Sequence, residues 1–144
     1  MSTVLTLGTF DLFHTGHVNL LRRCSDQAGN ANGRVVVGLN TDEFVTRYKG
    51  SPPVVAYEDR ATVLRACRYV DDVVPNAQPD GSIRDVLWAV WPSLIIVGDD
   101  WAGRGYLEQI GLTEAELQRA GVGLLFVPYT EGISTTELRK RVAS

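Results

Sequence analysis

Two histidines, the only two in the chain, stand three residues apart as His14 and His17 with Gly16 between them. Imidazoles at that spacing point the same way when the second opens a helix. Near neutral pH an imidazole can donate to a charged oxygen. A helix start adds unpaired backbone N–H groups and the positive end of a dipole, and Gly16 lets the backbone approach an anion closely. The chemistry these residues suit is the handling of phosphate. A packed loop histidine followed by a solvated helix histidine is the structural alternative. Zinc is a poorer fit, because two histidines without further Cys or His nearby make a short ligand set.

The flanking residues must supply a rigid mount. Val4, Leu5 and Leu7 form a short apolar run closed by Gly8, which predicts a buried strand. Val18, Leu21, Cys24 and Ala28 recur at the spacing of one helix face. The histidine turn therefore joins a strand to a helix.

Other stretches with chemical potential share this placement. Arg47 and Lys49 fall in the irregular RYKGSPPVVAY stretch, where Gly50, Pro52 and Pro53 forbid a continued helix. Arg60 and, less compellingly, Arg68 are further cations. Asp99, Asp100 and Trp101 follow the apolar run Leu94–Gly98. Two carboxylates there can orient Mg²⁺ or bond a ribose or polar substrate, or form a structural turn. Ser134 and Thr135 open the last helix, where capping is worth about 1 kcal/mol and anion binding is compatible with it.

A chain of 144 residues is expected to be one domain, residues 1–144, long enough for a core. The net charge of −3 argues against a nucleic-acid-coating surface. No apolar run is long enough to cross a bilayer and no signal segment opens the chain, so a cytoplasmic location is expected. Cys24 and Cys67, with no Cys-x-x-Cys, are expected as buried thiols on helix faces.

Strand predictions fall at 4–7, 34–40, 70–75, 94–98 and 123–127. A helix resumes from Glu58 with Val63, Leu64 and Cys67 inward, and another follows Ser82. Capping boxes are expected at Ser82–Asp85, Thr113–Glu116 and Ser134–Glu137. The alternation predicts an α/β, Rossmann-like, doubly wound parallel five-stranded sheet with helices on both faces. No Gly-x-Gly-x-x-Gly or Walker motif occurs. Ligands in such sheets bind beyond the strands' carboxyl ends, where the HTGH, GDDW and TEGISTT stretches should gather.

Gly8-Thr9-Phe10-Asp11 with His14-Thr15-Gly16-His17, and Thr130-Glu131-Gly132-Ile133-Ser134-Thr135-Thr136 near the end, resemble the two signatures of the cytidylyltransferase-like nucleotidyltransferases. The similarity runs over nearly the whole chain except extra residues around 104–121. Within that family it is closest to the glycerol-3-phosphate cytidylyltransferases. The resemblance implies nucleotidyl transfer from CTP, with Mg²⁺, to a small phosphorylated alcohol, and a homodimer. It implies catalytic roles for His14, His17 and Lys49. It implies nucleotide contacts by Gly8, Thr9, Phe10, Gly16, Asp99, Asp100, Trp101, Thr130, Gly132, Ile133, Ser134 and Thr135. Substrate contacts would come from Asp11, Arg47, Lys49 and Arg60, with Arg60 as a two-pronged phosphate clamp. Tyr129 departs from the pattern, since the family commonly has arginine there; either another basic group, Arg104 or Arg139, takes over, or the triphosphate is held more weakly. The extra segment is expected to reshape the acceptor pocket or an oligomer interface. An adenylyltransferase acting on a sugar phosphate of the heptose type and a non-catalytic nucleotide-binding module are the rival readings.

Overall fold

The structure is a computed structural model that describes residues 2–29, 32–98, 105–128 and 130–143. Asp99, Asp100, Trp101, Arg104 and Tyr129 lie outside the described residues.

Five strands, β1 (Thr3–Gly8), β2 (Arg34–Asn40), β3 (Asp72–Asn76), β4 (Leu94–Gly98) and β5 (Gly123–Val127), form one sheet. Its order is β3-β2-β1-β4-β5, and every pairing is parallel. The helices are α1 (Thr15–Ala28), α2 (Asp42–Lys49), α3 (Tyr57–Arg65), α4 (Arg84–Val90), α5 (Tyr106–Ile110), α6 (Glu114–Ala120) and α7 (Thr135–Ala143).

Alternation along the strands sorts the core onto two faces. Val4, Val35, Val37, Leu39, Val73 and Ile96 point to one, where Leu21 and Cys24 of α1 and Ala61 and Leu64 of α3 cover them. Leu5, Val36, Ile95 and Val97 point to the other, under Val86 of α4, Tyr106 and Ile110 of α5 and Leu117 of α6. This is the doubly wound α/β arrangement expected from the alternating pattern. The chain proceeds from β1 outward to β3, then returns to β4 beside β1, so a crevice opens at the carboxyl end of the sheet centre.

Some local expectations shift. β3 begins at Asp72 rather than Val70 because the Val70 N–H closes a turn on Cys67 O and Asp71 caps the sheet edge, accepting the Val35 N–H at 2.7 Å. Cys67 lies in that turn, beyond α3. Val63 is 45% exposed instead of inward, since α3 is rotated to bury Arg60, Ala61 and Leu64. Ser82 does not form the expected capping box. Its hydroxyl donates to Asp80 at 2.7 Å, and Ile83 is the N-cap of α4. Thr113 and Glu116 do form theirs.

Candidate active site

The turn from β1 to α1 is built under strain. Phe10 and Leu12 have φ of 51° and 50°, a region costly for residues with a side chain. Two buried groups hold it. The Asp11 carboxylate accepts the Val54 N–H at 2.7 Å and the Val55 N–H at 2.9 Å, and pairs with Arg139 at 3.1 Å. Burial pushes the Asp11 carboxyl up, but these three donors outweigh it and hold it below the usual value.

Arg60 is the second pin, at 2% exposure. Its Nε donates to Val55 O at 2.8 Å, Nη1 to Thr9 O and Asn40 O at 2.7 and 3.0 Å, and Nη2 to Asp42 at 2.6 Å. The expected phosphate clamp is therefore corrected: the guanidinium fork is spent on the loops around the cleft. Asp11 likewise acts through the loop it ties.

The histidines cap α1 with their own rings. Nδ1 of His14 accepts the Gly16 N–H at 3.0 Å, and Nδ1 of His17 accepts the His14 N–H at 3.1 Å. An accepting Nδ1 is unprotonated, so the neutral ring carries its proton on Nε2. The rings stack with centroids 3.8 Å apart. Burial lowers the pKa of His14; burial, reinforced by His14 and opposed by Asp11, lowers His17 to about 3. Both therefore stand neutral at pH 7, each with its donor proton on Nε2. Gly16 is required here: a Cβ would come within 2.8 Å of His14 Cε1.

Two adjoining cavities lie at the carboxyl edge of the sheet. The first, about 190 Å³, is lined by His14, Gly16, His17, Thr130, Ile133 and Thr135 with the ends of β4 and β5. The second, about 500 Å³, is lined by Gly8, Thr9, Phe10, Asp11, His17, Lys49, Thr135 and Arg139 with the ends of β2 and β3. His17 and Thr135 border both. The start of α7 is fixed there: Thr135 Oγ1 donates to Asp11 O at 2.8 Å, and Thr130 Oγ1 accepts from Asn19 at 3.1 Å.

Ser134 and Gly132 fall elsewhere. They line a surface hollow that adjoins the first cavity at Thr130 and Ile133, and Ser134 Oγ accepts the Glu137 N–H at 3.1 Å as a helix cap. Arg47 lines neither cavity. It donates to Ala77 O and lies over the Phe44 ring. Arg68 is on the surface against Tyr69. Arg139, one of the expected replacements for the missing arginine, is in the second cavity but paired with Asp11.

Asn40, Tyr48, Asn76, Gln78, Tyr106 and Gln109 also line the second cavity and were not foreseen as site residues. The available signal was position: Asn40 and Asn76 are the polar last residues of apolar strands. Tyr106 and Gln109 belong to the extra segment, which does shape this pocket. Among the described residues no group of three His, Cys, Asp or Glu can hold a metal, and no helix is long and apolar enough to cross a membrane.

The model of the family described as cytidylyltransferase-like matches residues 5–141. The chain is 35% identical over 144 residues to a glycerol-3-phosphate cytidylyltransferase of Bacillus spizizenii, covering 100% of this chain and 99% of that protein. It is 37% identical over 136 residues to the bifunctional protein HldE of Koribacter versatilis, covering 94% of this chain and 26% of that protein. The lipopolysaccharide core biosynthesis protein of Thermoplasma volcanium has the same fold, with a TM-score of 0.69 at 23% identity over 91% of this chain and 99% of that one.

Proposed function

Because the chain belongs to the cytidylyltransferase-like family and is an enzyme of that kind, we propose that it joins CTP to glycerol 3-phosphate, giving CDP-glycerol and pyrophosphate. The observation that carries the reading is the pair of neutral, backbone-oriented imidazoles lining the first cavity, with His17 and Thr135 at the wall it shares with the second. In this reading the nucleotide phosphates cross that wall, and the phosphorylated alcohol enters through the second cavity past Lys49. An oxygen of the acceptor phosphate forms a bond to the α-phosphorus of CTP, and the bond from that phosphorus to the pyrophosphate oxygen breaks. No covalent enzyme intermediate is needed. Charge gathers on the non-bridging oxygens, where preorganised donors matter most. His14 and His17 donate Nε2–H to them, and Lys49 brings a mobile positive charge to the incoming phosphate.

Mg²⁺ belongs to the proposal as the partner of the triphosphate, where it neutralises phosphate charge. Such an ion is held largely by phosphates and water with one or two carboxylates. Asp99 and Asp100, which follow β4 in sequence, are the carboxylates proposed for it. A homodimer is proposed on the family resemblance.

Transfer from ATP to a sugar phosphate is the second reading, favoured by the similarity to HldE. Pyrophosphate release measured in parallel with CTP and ATP, each against glycerol 3-phosphate and a heptose phosphate, separates the two. Turnover with CTP and glycerol 3-phosphate is expected; turnover only with ATP rejects the first reading.

A further inference from the structure

Gln78 stands two residues past the end of β3, 6% exposed, with φ of 41°. A left-handed backbone is costly for glutamine and persists only where its surroundings enforce it. The enforcement is visible. Gln78 Nε2 donates to Gly81 O at 3.2 Å and to Gln109 O at 3.0 Å. Both amide hydrogens are thus committed, which settles which end of the amide is oxygen. Oε1 takes no hydrogen bond from any described residue, and the side chain lines the second cavity.

A second amide, Asn76, lines the same cavity. Asn76, 2% exposed, donates its Nδ2 to Asn40 Oδ1 at 2.9 Å, and Asn40 in turn donates to Thr9 Oγ1 at 3.1 Å. Asn76 Oδ1 is buried without a partner among the described residues. An acceptor that lines a cavity without a protein donor is one a ligand hydroxyl can pair with. At Gln78 this corner of the cavity therefore offers an acceptor whose own amide donors are already used. It suits hydroxyl groups and disfavours a second phosphate or carboxylate.

We propose that Gln78 is the specificity-determining residue for the acceptor: its Oε1 accepts a hydrogen bond from a hydroxyl on the acceptor's carbon chain. The substrate class is then phosphorylated alcohols carrying a hydroxyl beyond the phosphorylated carbon. This rests on the reading that the second cavity takes a phosphorylated alcohol. It goes further in assigning the choice among such alcohols to a residue positioned by α5 of the extra segment.

The test compares kcat/KM for glycerol 3-phosphate with the values for 3-hydroxypropyl phosphate and 2-hydroxypropyl phosphate, each of which lacks one hydroxyl. The wild type is expected to favour glycerol 3-phosphate over at least one analogue by about tenfold to a hundredfold. In Gln78→Asn, which tolerates the backbone but withdraws the oxygen by one methylene, and in Gln78→Met, that ratio is expected to fall to about threefold or less. A role confined to stability lowers all rates together and leaves the ratio intact, because the folded fraction cancels. Equal use of all three acceptors by the wild type, or an unchanged ratio in both variants, overturns the proposal while leaving CTP-dependent transfer standing. If the wild type instead uses a sugar phosphate and not glycerol 3-phosphate, the proposed acceptor fails, and the same ratio on that sugar phosphate and its deoxy forms decides the role of Gln78.

Discussion

Replacing Gly16 by alanine tests how the imidazoles are aimed without removing either. The added Cβ would sit 2.8 Å from His14 Cε1 and 3.0 Å from Nδ1. Ordinary carbon contacts need about 3.5 Å or more, so the ring must move by about 0.7 Å. The ring cannot move freely, because its Nδ1 is the cap that accepts the Gly16 N–H at 3.0 Å. Losing that bond costs about 1 kcal/mol of stability, roughly 3 °C in Tm for a chain of this size. The cost to catalysis is larger. A donor misplaced by about 1 Å loses on the order of 100-fold, and complete loss of one such donor costs about 10²–10³ in kcat. Gly16→Ala is therefore expected to melt within a few degrees of wild type while kcat for pyrophosphate release falls by about 100-fold. Thermal unfolding and steady-state kinetics on the same preparation give both numbers. A folded variant whose kcat stays within about threefold of wild type would refute the claim that His14 works from this orientation.

Arg60→Met should act on the fold. It strips donors from Thr9 O, Asn40 O and Val55 O and leaves Asp42 with the Tyr57 N–H but no cation, at a cost of about 3–5 kcal/mol, readable as a lower urea midpoint; an unchanged midpoint would return Arg60 to a role in substrate binding. Acid should weaken the fold early. His17 is held neutral down to about pH 3, so below pH 6.5 the unfolded chain binds a proton that the fold refuses, and stability falls as pH falls. The expected loss from His17 between pH 7 and 5 is about 2 kcal/mol, with His14 shifted in the same direction. Asp11 is depressed below the ordinary carboxylate value, so its contribution is lost only below that window. Urea midpoints that stay flat from pH 7 to 5 would contradict the buried neutral histidines.

The scaffold was legible wherever local pattern and burial agree. β2, β4 and β5 begin and end at the residues the sequence predicts, and Thr113, Glu116 and Gly121 bound α6 as capping chemistry requires. The histidine turn was legible as a strand-to-helix junction, because an apolar run closes at Gly8 and the helix spacing begins at Val18. What escaped depends on contacts between distant residues. Arg60 reads as a surface cation until Thr9, Asn40, Val55 and Asp42 are seen around it. Ser134 and Thr135 are adjacent and chemically alike, yet only Thr135 turns to the cleft, because its hydroxyl reaches Asp11 O. Gln78 has no motif at all; its orientation comes from carbonyls of Gly81 and Gln109.

The central claim is that the paired imidazoles and the start of α7 meet one triphosphate. With only two histidines in the chain, their imidazole ¹⁵N resonances can be followed together with the Thr135 amide while CTP is titrated. The account predicts that both Nε2 signals and the Thr135 amide shift along one binding curve with a single Kd. Histidine signals unmoved at saturating CTP, or a Thr135 response with a different Kd, would contradict it.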